Sequence, residues 1–379
     1  MNKSTVIFAA LALLAASCTK TEVVSCDSQG SQRGIGFSAY TAKPTKAAQE
    51  DVMTEDFNSF QVTAIGNKAV YFDNVTFTKN GEGVWASTPV YFWPAYALNF
   101  YAYNKPVNGE FTPTFNTTSQ TLTFTPSTTL TEQEDLVAAY APNETQPVSG
   151  ATALKFNHYL TQIVVKALNT NSTYKVEVAG VKIAHMQNKV KYTFSSSSES
   201  TEVATDAGDE TYLSEFERNA KTLDGTAQEV MTSANTGNKW YLVPQTVNAW
   251  DRENNMTNKG ASSSLTTTYD DGTYLALKVK ITANNGKLKI YPASASEEYA
   301  WMAVPVPASQ EFKQGHKYTF VINFFQKNGA GFVDPEEPSD IDGDHNADND
   351  KGKPIIGGPI QFSANVNTWP DETVITIDL

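Results

Sequence analysis

Apolar and polar residues alternate with a period of two along most of this chain, and this pattern limits its fold more than any other feature. The clearest run is LALKVKI at residues 275–281, where Leu, Val or Ile occupies every second position and lysine two of the others. Comparable runs occur at 35–40, 60–65, 98–104, 174–186, 317–324 and 360–367. A β-strand turns successive side chains to opposite faces, and convincing helical periodicity is scarce here. The sequence therefore predicts an all-β protein.

Short strands separated by Gly, Asn and Pro are typical of β-sandwiches, and one-sided alternation favours antiparallel sheets with one solvated face. The length of 379 residues suggests two domains. A polar segment at 143–153, which contains Pro147 and Gly150, lies between apolar stretches and predicts the boundary. We therefore expect one β-sandwich over residues 34–150 and a second over residues 151–379.

The first 17 residues have the layout of a signal peptide, because Lys3 precedes an apolar run that is too short to span a bilayer. The residues before Cys18, Leu-Ala-Ala-Ser, are similar to a bacterial lipobox, in which the cysteine becomes the lipidated first residue of the mature chain. Residues 18–33 then form a lipid-anchored tether. Ordinary signal cleavage with a spare cysteine is the alternative. Cys26 is the only other cysteine, so a lipidated Cys18 leaves no disulfide framework.

Composition and motifs argue against several function classes. With 28 basic and 41 acidic residues the net charge is −13, which disfavours nucleic acid as a partner. The sequence contains no HExxH, CxxC, phosphate-binding loop or nucleophile elbow. His158 lies in a strand-like run and is interpreted as a structural residue. We therefore expect no catalysis, and no cofactor other than the Ca²⁺ considered next.

The acidic segment DPEEPSDIDGDHNADNDKGKP, residues 334–354, is nearly free of apolar residues. Oxygen-bearing side chains occupy alternate positions in it, and such hard ligands can surround Ca²⁺. The candidate ligands are Asp340, Asp342, Asp344, Asn346 and Asp348, with Asp350 continuing the series. Gly343 is misplaced for an EF-hand, and no glutamate closes the loop. A solvated, mobile acidic linker is therefore the favoured interpretation.

Tryptophan rings suggest a different kind of site, because flat aromatic faces stack on sugars. The candidates are Trp85, Trp93, Trp250 and Trp369. A surface glycan-binding lipoprotein that does not polymerise is therefore the alternative to the function described below. Core packing is the favoured interpretation for any single one of these tryptophans.

Seven segments are found in a distinctive order. They are the lipobox, IGFSAYTAKPTKA, VYFWPAYALNFYAYN, LKFNHYLTQIVVKAL, WYLVPQTV, WMAVPVPASQEFKQGHKYTFVINF and IQFSANVNTW. Together they resemble the fimbrillin (Mfa-like, FimA-type) family of Bacteroidales surface proteins. The resemblance covers nearly the whole mature chain. It implies two transthyretin-like β-sandwich domains in tandem, export as an outer-membrane lipoprotein, and a role as a subunit of an adhesive fimbria.

In family members a trypsin-like protease removes the N-terminus with the first strand, and a strand of another subunit takes its place. The removable strand here would be 35–40, with Ile35, Phe37 and Ala39 on one face. The candidate processing sites are Lys46 and Arg33. Cleavage after Lys46 would release the strand, whereas cleavage after Arg33 would leave it in place. Family members commonly have Arg where this chain has Lys46.

The implied partners are other fimbrial subunits, a processing protease and the outer membrane, while a host or bacterial surface ligand is not identified. The donor strand would come from the end of the chain, where VITIDL alternates without a polar tail. Its candidate residues are Val374, Ile375, Thr376, Ile377 and Leu379. The earlier run, 360–366, is interpreted as an ordinary strand, with a donor role as the alternative.

Overall fold

A computed structural model describes residues 33–41, 57–81, 83–104, 112–194, 200–234, 238–251, 272–283, 286–327, 329–357 and 361–368. These residues confirm the all-β prediction, since they contain no α-helix. Short 3₁₀ turns occur at Leu130–Glu132, Glu217–Asn219 and Ala347–Asp350. Within the same residues, no helix has the length and apolar character needed to cross a membrane.

The predicted alternating runs correspond to observed strands. The strands of the first half are β1 (Gly36–Thr41), β2 (Ser59–Gly66), β3 (Ala69–Lys79), β4 (Trp85–Ser87), β5 (Leu98–Asn104), β6 (Thr114–Asn116), β7 (Thr121–Phe124), β8 (Val137–Glu144) and β9 (Thr152–His158). Seven of the described strands form a closed barrel in the order β1-β4-β3-β2-β5-β8-β9. The barrel encloses an aromatic core that includes Phe60, Phe77 and Phe100.

The second half forms two facing sheets. Its strands are β10 (Thr161–Asn169), β11 (Tyr174–Gln187), β12 (Val190–Thr193), β13 (Ser200–Val203), β14 (Asp209–Glu215), β15 (Lys221–Thr222), β16 (Gln228–Glu229), β17 (Trp240–Leu242), β18 (Gln245–Thr246), β19 (Tyr274–Ala283), β20 (Leu288–Tyr291), β21 (Ala300–Pro305), β22 (Glu311–Phe312), β23 (His316–Phe324), β24 (Phe332–Val333) and β25 (Gln361–Thr368). One sheet has the order β16-β10-β23-β25 with β17 beside β10, and the other β14-β11-β19-β21-β24 with β15 and β20 attached. Their inner faces share one apolar core, as in a β-sandwich.

Two details of the predicted architecture need correction. A boundary at residue 150 would place β9 in the second domain, but β9 pairs with β1 and β8 and completes the barrel. The chain enters the sandwich only at β10.

Two strand pairs, β1–β9 and β10–β23, are parallel rather than antiparallel. Hydrophobic alternation does not distinguish these orientations, because it reports only which face of a strand is buried.

A third sheet joins the two halves. In it β6 and β7 from the first half pair with β12 and β13 from the second, in the order β13-β12-β7-β6. This sheet covers the outer face of β5, so that Tyr101 and Tyr103 are buried on that face. The Tyr101 ring packs against Phe115 at 5.1 Å and Phe194 at 5.3 Å between centroids. Both halves therefore contribute to one continuous apolar layer.

Candidate strand-exchange site

The first strand lies inside the barrel wall. β1 is antiparallel to β4 through Gly36↔Ala86 and Phe37↔Trp85. On its other side it is parallel to β9 over five residue pairs, from Phe37↔Thr152 to Thr41↔Phe156. Both ladders are therefore interrupted if β1 is removed.

Strand β9 depends on β1 for most of its pairing. Between β8 and β9 the paired residues are Val137↔His158 and Ala138↔Asn157, at the far end of β9. Residues 152–156 pair with β1 instead. Loss of β1 would leave the backbone groups of this stretch without their ladder, and such an open edge accepts a new strand.

The side chains of β1 alternate between core and solvent. Ile35 and Phe37 are buried, Ala39 is half-buried against the same core, and Tyr40 points outward. The ring of Phe37 makes edge-to-face contacts with Phe77 and Phe100, with centroid separations of 4.8 and 5.0 Å. The strand therefore fills an aromatic pocket that would be empty without it.

Arg33 is fixed at the start of this strand. Its guanidinium group donates hydrogen bonds to the carbonyl oxygens of Val148 (2.7 Å) and Pro147 (3.3 Å). Its own carbonyl oxygen accepts a hydrogen bond from the Trp93 N–H at 3.0 Å. A protease must bind both the side chain and the extended backbone of the residue it recognises. In the folded protein these contacts hold both the side chain and the carbonyl group of Arg33 in place.

Several predicted site residues lie outside the described residues. They are Cys18, Lys46, Trp369 and the donor candidates Val374, Ile375, Thr376, Ile377 and Leu379. The preceding run, 361–368, is strand β25 and pairs with β23 along its whole length, from His316↔Thr368 to Asn323↔Gln361. This supports its interpretation as an ordinary strand of the second sandwich.

The acidic segment is packed against the protein at several of its carboxylates, so the prediction of a solvated linker is wrong for these, while residues 342–346 are exposed as predicted. Asp334 and Asp350 are fully buried, and Asp340 is 8 % exposed. The Asp340 carboxylate accepts hydrogen bonds from the backbone N–H groups of Gly343 (2.7 Å) and His345 (3.0 Å). These bonds hold the pKa of Asp340 below its usual range. The Asp340 carboxylate therefore accepts hydrogen bonds from backbone N–H groups of the loop itself.

Only part of the proposed Ca²⁺ ligand set comes together. Carboxylate oxygens of Asp340, Asp342 and Asp350 lie within 4.8 Å of one another. Asp350 is bound at 2.7 Å by the Lys353 ammonium group, which also lies 3.6 Å from Asp342. Among the described residues, Asp344 and Asp348 are not in this group of carboxylates; Asp348 pairs with Lys351 at 2.8 Å. A lysine thus supplies positive charge where a cation was expected.

Three of the four candidate sugar-stacking tryptophans are core residues. Trp85, Trp93 and Trp250 are each 5 % exposed or less. Their ring faces are covered by protein, so they offer no platform to a glycan. His158 is also interpreted as structural, since it pairs with the Asp135 carboxylate. Burial raises the pKa of Asp135, and the contact with His158 opposes this rise.

His185 links the second sandwich to the acidic segment. It occupies a bulge in β11, with φ of 59°. Its Nδ1 lies 2.7 Å from Asp209 and its Nε2 lies 3.2 Å from Glu336. The hydrogen bond to Glu336 raises the pKa of His185, and the hydrogen bond to Asp209 adds to this rise. Burial acts in the opposite direction, and the resulting pKa is about 9. The imidazolium form therefore bridges two carboxylates at neutral pH.

This bridge should make stability depend on pH. The histidine is protonated in the folded state up to pH near 9 but in the unfolded state only up to its ordinary value of about 6.5. Its contribution is therefore complete below the lower value and is lost as pH rises through the upper one. We expect the free energy of unfolding to fall by about 1–2 kcal/mol across this range, less than the full shift implies because both carboxylates are partly exposed.

Urea unfolding at a series of pH values measures this loss. His185→Gln should flatten the alkaline decrease in stability. His316→Gln is the matched control, because the His316 ring contacts the Gln314 carbonyl oxygen rather than a carboxylate. An unchanged alkaline slope in His185→Gln would contradict the assignment.

The match that decides the family covers most of the chain. A family model described as fimbrillin-like matches residues 45–335. This chain belongs to the fimbrillin-like family. A fimbrial or cell-adhesion role at the cell surface, association with other fimbrial subunits, and a structural rather than catalytic function follow from this membership. The matched region begins just after β1 and just before Lys46.

Solved structures with a similar fold include candidate cell adhesion proteins from three bacteria. The protein from Bacteroides ovatus has 12 % identity and a TM-score of 0.46, with 90 % of this chain and 100 % of that chain covered. The protein from Parabacteroides distasonis has 13 % identity and a TM-score of 0.45, with 90 % of this chain and 100 % of that chain covered. The protein from Bacteroides uniformis has 13 % identity and a TM-score of 0.41, with 89 % of this chain and 98 % of that chain covered. Such weak likeness supports no functional conclusion. No curated protein is significantly similar to this chain.

Sequence reasoning missed two groups in this fimbrillin-like chain, the Lys182–Asp334 pair and the His185 bridge. It singled out Asp350 but did not predict that this residue is buried. The alternation of β11 gave one usable signal, because Lys182 and His185 interrupt an otherwise apolar stretch, VKIAH. A lysine within a buried strand needs a partner.

Proposed function

We propose that this fimbrillin-like protein is a structural subunit of an adhesive surface fimbria that assembles by strand exchange. The chain is exported, lipidated at Cys18 and held at the outer membrane. Proteolysis then removes β1, and a strand from a second subunit takes its position. The observation that carries the proposal is the position of β1 between β4 and β9, where residues 152–156 have β1 as their ladder partner.

Cleavage after Lys46 fits this sequence of events better than cleavage after Arg33. Only a cut beyond Thr41 separates β1 from the barrel, and Arg33 lies before β1. The Arg33 side chain and carbonyl are also held by hydrogen bonds. The processed subunit would therefore begin at Ala47.

The chain end has the pattern needed to replace β1. Ile35, Phe37 and Ala39 occupy alternate positions facing the core. In VITIDL, Ile375, Ile377 and Leu379 also fall at alternate positions. An incoming strand in this register would restore the β9 ladder and fill the pocket against Phe77 and Phe100. Backbone hydrogen bonds and apolar burial would then act together.

A variant with a site-specific protease sequence in place of residues 43–46 tests the proposal. After cleavage, we expect ladders of oligomers on denaturing gels run without boiling, whereas the uncut protein remains monomeric. Deletion of residues 374–379 should abolish the ladder. Mixing cut, tail-deleted protein with uncut, full-length protein should give heterodimers only, because one partner has the open groove and the other the donor.

Monomers that persist after proven loss of residues 35–41 would overturn the assembly mechanism. If those monomers also bound polysaccharide, a glycan-binding lipoprotein would be the better description. The N-terminal residue of protein recovered from cells is an independent measurement. Ala47 is the expected result, and a lipidated Cys18 on every molecule would oppose processing.

A further inference from the structure

A lysine and an aspartate meet without solvent on the face of the seven-stranded sheet opposite the sandwich core. Lys182 lies in the middle of β11, and Asp334 directly follows β24. Their side chains are 1 % and 0 % exposed, with Nζ 3.0 Å from Oδ2. Buried ion pairs of this kind carry a large desolvation cost that their attraction does not always recover. Other ion pairs of this sheet, such as Lys278–Glu215 and Lys280–Glu298, have partly exposed partners.

Aromatic rings surround the pair and exclude water. The Lys182 Nζ lies 4.8 Å from the centroid of Trp301 and 5.8 Å from that of Tyr274. Both rings belong to a small apolar cluster on this face, with Trp250 and Phe332. In such surroundings charge is disfavoured, and a neutral product is stabilised relative to two ions.

The two oxygens of Asp334 are in different environments. Oδ1 accepts hydrogen bonds from the backbone N–H groups of Glu336 and Glu337, both at 2.9 Å. The Tyr274 hydroxyl lies 3.2 Å from the same oxygen, and burial together with the nearby carboxylates raises its pKa so that it keeps its proton. Oδ2 contacts the lysine but accepts no hydrogen bond of good geometry from the described residues. Donors converging on one oxygen stabilise the negative charge of a tetrahedral intermediate.

A proton acceptor is in contact with the amine. The Lys182 Nζ donates a hydrogen bond to Glu337 Oε1 at 2.8 Å. Glu337 is 59 % exposed, so it can exchange protons with solvent. The amine of Lys182 thus lies within hydrogen-bonding distance of both a polarised carboxyl group and a base, the arrangement expected for acyl transfer.

We propose that Lys182 and Asp334 form an intramolecular isopeptide bond. Glu337 removes a proton from the ammonium group, and Nζ attacks Cγ of Asp334. The N–H groups of residues 336 and 337 and the Tyr274 hydroxyl hold Oδ1 while it carries the negative charge. Glu337 returns its proton to Oδ2, and a second proton from nitrogen follows the same route. The Cγ–Oδ2 bond then breaks, one water leaves, and an amide joins the two residues.

This bond would tie β11 covalently to the segment after β24, so that the edge of the seven-stranded sheet could not separate. It requires only this chain's residues and no other reactant. The inference therefore stands independently of strand exchange, and its test does not depend on polymerisation.

Peptide mass spectrometry of the intact, mature protein tests the bond. Digestion after denaturation should yield a branched peptide that contains Lys182 and Asp334 and is lighter by one water than its two parts together. A lysine-specific protease should fail to cut after Lys182 in the denatured chain. Complete recovery of the two separate linear peptides, with cleavage after Lys182, would overturn the proposal.

Two matched glutamate variants test the mechanism. Glu337→Gln keeps the size of the side chain but removes the base, and we expect loss of the branched peptide. Glu215→Gln removes a partly exposed carboxylate of the same sheet that contacts Lys278 rather than Lys182, and should retain the branched peptide. Both positions are partly exposed, so both variants should fold. Equal linking in Glu337→Gln and the native protein would overturn the role of Glu337 as base.

Discussion

Replacing Phe37 with alanine is expected to destabilise the uncut protein by about 3–5 kcal/mol, the usual cost of removing a fully buried phenylalanine ring. Phe37 has no exposed surface, and its ring contacts those of Phe77, Phe100 and Phe60. The cavity would lie at the centre of the barrel, where neighbouring rings cannot move inward without losing their own contacts. Urea unfolding gives the free-energy difference.

Ser38→Ala is the matched control for this substitution. Ser38 is the next residue of β1 and faces solvent, so its replacement should change stability by less than about 0.5 kcal/mol. A second comparison uses processed, oligomeric protein. If β1 is removed from that protein, as proposed, Phe37→Ala should have the same stability as the native sequence. A loss below about 1 kcal/mol in the uncut protein would mean that β1 is only loosely held.

Replacing Asp350 with alanine is expected to lower the free energy of unfolding by about 2–4 kcal/mol, near the range for breaking a buried ion pair. The Asp350 carboxylate is fully buried and accepts a hydrogen bond from the Ile341 N–H at 2.8 Å. It also binds the Lys353 ammonium group, which is partly exposed and can recover some solvation. Alanine would leave both donors without this acceptor. Thermal and urea unfolding both measure the loss.

Asp348→Ala is the control, because the Asp348 carboxylate is largely exposed and pairs with Lys351 at the surface. It should cost about 0.5 kcal/mol or less.

Added Ca²⁺ distinguishes the two interpretations of the loop. A cation that binds only the folded state raises its stability in proportion to RT ln(1 + [L]/Kd). We expect no such rise, because Lys353 already compensates Asp350. A Ca²⁺-dependent increase that Asp350→Ala abolishes would restore the metal site.

Strand positions could be predicted from the sequence, whereas the way the strands pair could not. The run at 275–281 lies in β19 and the run at 317–324 in β23, because alternation follows directly from the geometry of a strand. The parallel pairing of β1 with β9 joins residues far apart in the chain. Nothing local sets that register or direction, so the closed barrel was not foreseen.

Buried charge explains the failures at the candidate site. The polar composition of the acidic segment predicts that it is solvated, yet Asp334 is buried and pairs with Lys182. Lys182 lies in β11 of the seven-stranded sheet, far away in the sequence. Burial of a charge depends on a distant partner, and composition contains no information on that partner. His185 shows the same limit, since its two carboxylates come from β14 and from the segment after β24.

The sheet formed by β6, β7, β12 and β13 has a mechanical consequence. Because strands from both halves are hydrogen-bonded in it, rotation of the barrel relative to the sandwich would have to break these strand pairs. A filament built from such units would behave as a row of stiff rods. Under fluid shear the curvature of such a filament would concentrate at the joints between neighbouring molecules. If these joints form by the proposed strand exchange, the donated segment would set how far the fibre flexes.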